Sequence, residues 1–153
     1  MVPTDHLISP DTGMLNHTKG KSDTFEMFSG ACVFIDHACG YVIINNQVNI
    51  NATETIKSKL SCEKGFKIHG VVINGHHTDN GIFNGSKFIE EILNNQKKIR
   101  FSGAGASNQN GAIERLIKTL VTMGKTMLIH AALKCPEENF STDSWSMEMD
   151  YAV

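Results

Sequence analysis

The clearest pattern in the chain is a change of period. Residues 31–36 (ACVFID) and 41–48 (YVIINNQV) are β-branched and aromatic, and the turn-forming residues 37–40 separate them, which predicts two strands joined in a hairpin. Asn51 is followed three residues later by Glu54 in the form of a capping box. Ala52, Ile56 and Leu60 then recur at helical spacing, predicting a helix over residues 52–64 that Gly65 stops. Residues 66–74 (FKIHGVVIN) predict a third strand. Its GVVI segment is apolar throughout, as in a strand buried on both faces, and residues 76–84 (HHTDNGIFN) follow as a loop. Ser86 opens an amphipathic helix with Phe88, Ile89, Ile92 and Leu93 on one side, and residues 97–102 (KKIRFS) form a short strand. After a Gly-, Ser- and Asn-rich connection, Ile113, Leu116, Ile117, Leu120, Met127, Leu128 and Ala131 keep one apolar face over about five turns. This predicts a long helix from Gly111 to the Lys134-Cys135-Pro136 stop. Gly124 falls on that face and suggests close approach to the sheet, at about 1 kcal/mol of helix propensity relative to Ala. Residues 141–152 begin another helix.

The first 29 residues lack such a period. Pro3, Pro10, Gly13 and Gly20 predict a short extended start, weakened by Pro3, then an irregular connection over about residues 8–29 that adds little core. Strands alternating with helices argue for an α/β domain over residues 1–153, a mixed five-stranded sheet with helices on its faces.

Composition narrows the class without naming a function. A chain of 153 residues with 41% hydrophobic and 20% charged residues can build one core, so a disordered or fibrous chain is excluded. Lys and Arg number 14 against 16 for Asp and Glu, a net charge of −2, so overall charge offers no case for nucleic acid. Cys32, Cys39, Cys62 and Cys135 form no C-x-x-C pair and no secretory leader stands at the start, so reduced thiols and an intracellular site, nucleus or cytoplasm, are expected. No uninterrupted apolar run approaches the roughly 20 residues of a membrane span.

Two carboxylates stand out by position. Asp79, in His-Thr-Asp-Asn-Gly just after a predicted strand, is placed either to hold a metal or simply to make the turn that Asp-Asn-Gly favours. Glu114 stands beside the apolar face of the long helix, where an i,i+4 pair with Lys118 is the plainer reading. His69, His76 and His77 suggest a metal cluster, but strand alternation sends His76 and His77 to opposite sides and no Cys or carboxylate has zinc-like spacing to them. They are expected to be loop and surface histidines.

Taken together, HHTDNGIF and SGAGASNQNGAIERLIKTL resemble the catalytic core of retrotransposon and retroviral integrases, those of copia-type elements above all. CVFIDHACGY is similar to that family's second strand and turn, and the resemblance spans nearly the whole chain. It implies a ribonuclease H-like fold and a polynucleotidyl transferase that trims a DNA 3′ end with water and then uses the new 3′-hydroxyl to attack target DNA. In that family two aspartates and a glutamate bind divalent metal, the last two about 35 residues apart. By motif these are Asp79, Glu114 and, for the first aspartate, either Asp5 in TDHLISPDTG or Asp36 in FIDHACGY. The resemblance selects Asp5 and leaves Asp36 as a strand-end residue. It further implies that Asn108, Gln109, Asn110 and Gly111 belong to a mobile loop reaching the terminal nucleotides, with Arg115 and Lys118 on phosphates. Carboxylates without thiolate ligands suit hard cations, so the implied cofactor is Mg²⁺ or Mn²⁺, two ions. The implied partners are DNA, as retroelement ends and target, and further copies of the chain. Full integrases carry a zinc module before this core and a DNA-binding region after it, so the chain reads as a core truncated at both ends. A non-catalytic remnant that only binds nucleic acid, and a ribonuclease H-like nuclease, are the alternatives; the NQNG loop speaks against the second.

Overall fold

The computed structural model describes residues 1–15, 27–103, 110–138 and 141–153. Five strands, β1 (Val2–Gly13), β2 (Phe28–Ile35), β3 (Val42–Gln47), β4 (Gly75–Thr78) and β5 (Lys98–Phe101), form one sheet in the order β3-β2-β1-β4-β5. The pairs β1–β2 and β2–β3 are antiparallel, whereas β1–β4 and β4–β5 are parallel. Helices α1 (Ala52–Ile68) and α2 (Ser86–Asn94) cover one face, and α3 (Gly111–Lys134) and α4 (Trp145–Tyr151) pack on the other. The mixed five-stranded sheet with helices on both faces is therefore the one the sequence predicts.

Side-chain alternation divides the core in two. On the α1–α2 side Val2, Cys32 and Phe34 meet Phe66, Phe83, Phe88 and Ile92; on the α3–α4 side Leu7, Ala31 and Val33 meet Ile113, Leu120 and Met149. Phe34, Phe83 and Phe88 are wholly buried, and each stabilises the fold by about 1.5–3 kcal/mol.

Four expectations are corrected. First, β1 is a twelve-residue central strand, paired on both sides. Residues 8–13 therefore belong to the sheet and not to an irregular connection, and Val2, Leu7 and Leu15 enter the core. The ladder with β2 shifts register between Ile8 and Gly13, which accommodates Pro10, and Phe28 and Ser29 already belong to β2. The part of the expected connection over residues 16–26 lies outside the described residues.

Second, α1 runs through Gly65 to Ile68. A Cβ at Gly65 would meet Ile43 Cδ1 at 3.3 Å, so the small residue lets the helix lie against β3. The real stop is Gly70 at φ +75°, where Val71 N–H donates to Phe66 O and Gly70 N–H to Lys67 O, a Schellman cap. The expected strand over residues 66–74 is consequently helix end and connector, with Val71 and Val72 exposed, and the strand is the polar stretch that follows. Third, His76 is wholly buried and not a surface histidine. Fourth, Gly124 faces Glu148 of α4, not the sheet.

By length and overall composition α3 alone among the described residues matches a membrane span, although no continuous run does. Of its residues Ile113, Leu120 and Gly124 are buried, on the side that meets β1, β2 and α4.

Candidate active site

Register sets the site. Pro3 pairs with His77 across the parallel β1–β4 ladder, so two residues further along each chain Asp5 and Asp79 stand side by side on the α3 face. The third carboxylate arrives on a helix. Asn110 caps α3, and its amide Nδ2 donates to Asp5 Oδ2 at 3.3 Å, which ties the N-terminus of α3 to β1. Glu114 lies one turn later, its N–H donating to Asn110 O at 3.2 Å.

Electrostatics report the convergence. The Asp5 carboxyl is pushed up to about 6, first by burial and then by the negative charges of Asp79 and Glu114, against the lowering effect of a hydrogen bond from the His6 amide. His6, on the other side of the strand, stacks on Phe83 at 4.4 Å and donates from Nε2 to Thr55 Oγ1, whose own hydroxyl donates to Asn51 O. Burial holds its imidazole down to about 4, so it stays neutral beside the carboxylates. Asp36, the other candidate first aspartate, is in the exposed β2–β3 turn, where its carboxylate accepts from Cys39 Sγ and the Ala38 and Cys39 amides.

The ligand atoms on offer are oxygens, the kind that hard divalent cations prefer. All three side chains offer oxygen, their mutual repulsion is what a cation relieves, and the buried Asn110 Oδ1 has no hydrogen-bond partner among the described residues. Among the described residues no three His, Cys, Asp or Glu side chains form a group compact enough to hold an ion, so the carboxylates act on one another through space. Arg115 and Lys118 are exposed on α3, one and four residues past Glu114. Asn108 and Gln109 lie outside the described residues. Asn110, grouped with them by sequence, is buried and turned onto Asp5.

Sequence reasoning missed the support beneath the site. Thr4, beside Asp5, approaches His76 Nδ1 at 3.2 Å, and His76 Nε2 reaches Glu63 of α1 at 3.2 Å. Glu63 also meets Lys97 and the wholly buried Lys59, which in turn bonds Glu91 of α2. Burial keeps His76 from charging, and Glu63, an ionised acceptor, fixes its proton on Nε2, so the Thr4 hydroxyl has two acceptors at 3.2 Å, Nδ1 and Val2 O. No local pattern signals such a network, because its members come from four elements.

Burial of the Asp5 carboxylate, with the repulsion added to it, has a measurable cost. Asp5→Asn is expected to be more stable than wild type at pH 7.5 without added metal, by on the order of 1 kcal/mol. A shift from 3.8 to about 6 represents about 3 kcal/mol, reduced here because the carboxyl keeps contact with water. An acid whose pKa is raised by folding destabilises the fold progressively from about pH 3.8 to 6 and fully above. The advantage of Asn should therefore vanish near pH 4; thermal melts giving the same offset at both pH values would refute the raised pKa of Asp5.

No family model and no curated protein matches this chain. Solved structures do. The magnesium complex of the HTLV-2 integrase catalytic core domain superposes with a TM-score of 0.56 in its trimeric form, at 17% identity over 98% of this chain and 80% of that one. Its dimeric form gives 0.55 at 18% identity over 98% and 81%. The intasome of simian T-cell lymphotropic virus in complex with the PP2A regulatory subunit B56 gamma gives 0.59 at 16% identity, with 96% of this chain spanning 46% of that chain. At these identities the likeness is one of fold: this sheet and its helices have the ribonuclease H-like architecture of integrase catalytic cores.

Proposed function

We propose that the chain is an integrase-type polynucleotidyl transferase core of a copia-type retroelement, which processes DNA 3′ ends and joins them to target DNA inside the cell. The observation that carries this reading is the approach of Asp5, Asp79 and Glu114 to one another, from two parallel strands and the first turn of α3, within a fold shared with integrase cores. The magnesium in the HTLV-2 structure and the oxygen-only donor set together support Mg²⁺ or Mn²⁺ as the cofactor. Two such ions, when bound, activate an attacking oxygen and stabilise a leaving oxygen in an in-line phosphoryl displacement. The chain's own part is to place and orient. Asn110 holds Asp5 Oδ2 in the direction of α3, and the His6 amide holds Oδ1. Arg115 and Lys118 offer positive charge to the phosphates flanking the reacting one, and the helix N-terminus favours anions at the same point. Neutral His6 takes no proton from the site at physiological pH. The dimeric and trimeric HTLV-2 forms and the intasome support self-association and a DNA partner for this chain too.

The test is incubation of a labelled DNA duplex bearing a recessed or blunt end with the protein, with Mn²⁺ or Mg²⁺ against EDTA. Shortening of the 3′ end and joined products that require the metal are expected. Metal-independent background alone would overturn the enzymatic reading and leave the non-catalytic remnant.

A further inference from the structure

The sheet face that carries Asp5 and Asp79 is covered unevenly. α3 lies over β1 and β2 and α4 over β3, whereas β5 is the edge strand on the other side of β4. Along β5 the side chains alternate: Ile99 and Phe101 pack into the α1–α2 core, and Lys98 and Arg100 are exposed on the opposite face. Register then aligns them with the site. Lys98 pairs with Gly75 and Arg100 with His77, and the next position on that face of β4 is Asp79, beside Asp5. Rows on one face of a strand are about 6.6 Å apart, so two cations in succession lead to the carboxylates.

These cations are not there to neutralise acids of the fold. The side chains of Lys98 and Arg100 have no hydrogen-bond or ion-pair partner among the described residues. Asp36, the acid of the β2–β3 turn, is engaged with Cys39 and the turn amides. Arg100 and His77 also line an open concavity of about 480 Å³ together with Met1 and Phe101.

We propose that Lys98 and Arg100 form a phosphate track on the edge strand that holds the DNA strand running into the carboxylates. The inference rests on the integrase-type reading and extends it to residues that no motif marks. Arg100, nearer the carboxylates, is suited by its planar fork to grip one phosphate through two oxygens, and Lys98 adds a point charge one row further out. The net charge of −2 is compatible with this, because binding follows the local stripe and not the total.

The test is equilibrium binding of a labelled blunt-ended DNA duplex in EDTA across a range of salt concentrations, so that no catalysis enters. Each phosphate contact contributes about 0.9 to the slope of log affinity against log salt. Lys98→Ala/Arg100→Ala is therefore expected to bind more weakly with a slope shallower by about 1.8, and Arg100→Ala alone by about 0.9. Both side chains are exposed, and unchanged thermal melting checks that the fold is intact. The control pair Lys57→Ala/Lys64→Ala, exposed on α1 across the sheet, should keep the wild-type slope. Wild-type binding with an unchanged slope in the β5 variants, or an equal loss in the α1 control, overturns the track and leaves the integrase-type reading standing. No binding by wild type overturns both.

Discussion

Asp79→Asn is expected to reduce metal-dependent DNA-end cleavage by about 10³-fold or more, equivalent to about 4 kcal/mol of transition-state stabilisation, with little change in stability. The size follows from the position. Asp79 is the carboxylate at the end of β4, directly beside Asp5, and an amide in its place removes a negative charge without changing shape. The small effect on folding follows from its contacts: the Gly81 amide donates to Asp79 Oδ1 at 3.2 Å, and the Asn carbonyl accepts that bond equally well. Glu114→Gln should behave alike, since Glu114 is exposed in the first turn of α3. Because the carboxylates would act as one unit, the double variant should be hardly worse than either single one. Cleavage rates at saturating Mn²⁺ with parallel thermal melts provide the measurement. Activity within tenfold of wild type in Asp79→Asn would remove this carboxylate from the reaction.

The elements that the sequence made legible are those whose signals are local. The β2–β3 hairpin, the Asn51 cap, α2 and the long α3 each announce themselves within a dozen residues, and Asn51 Oδ1 does accept the Glu54 amide at 3.0 Å. The reciprocal arm of the capping box goes instead from the Asn49 amide to Glu54, a detail that spacing does not reveal. Where reading failed, a distant partner decided. GVVI is apolar enough for a strand, but Phe66 and Cys62 are needed in the core as helix residues, and the Schellman cap at Gly70 places Val71 and Val72 in solvent. GHHT is polar, yet it is the strand, because β1 and β5 supply ladders on both sides and α1 supplies the acid that lets His76 be buried. The candidate site divides in the same way. Asp79 and Glu114 are visible through motif, whereas the meeting of Asp5 with Asp79 is a matter of parallel register between residues more than 70 positions apart. Lys98 and Arg100 pass unnoticed in KKIRFS for the same reason: only strand pairing reveals which face they share.

Glu63→Ala should be the most destabilising of these changes, costing about 3–5 kcal/mol and lowering the melting temperature by about 10 °C. Glu63 meets Lys59, Lys97 and His76 together, and Lys59 is wholly buried. Without it, Lys59 keeps only Glu91 at 3.2 Å, and the His76 Nε2–H loses its acceptor in the interior. The acid is held down to about 2: burial would raise it, but hydrogen bonds from His76 and Lys97 and the charge of Lys59 prevail. Its contribution is thus full above about pH 4.5 and is lost as the pH falls towards 2, so the gap between variant and wild type should close over that range. Lys59→Met makes the informative contrast. It removes the buried cation and fills its space with apolar atoms, while Glu63 retains His76 and Lys97 and Glu91 retains Asn95 Nδ2 at 2.8 Å; it should be close to neutral. If both variants lost equal stability, the cost would lie in packing around α1 and not in an uncompensated charge. Because His76 bonds Thr4 next to Asp5, Glu63→Ala should also weaken metal binding at temperatures where the fold is still intact. The site and the stability of the β1–β4 ladder are thus held by one set of buried charges.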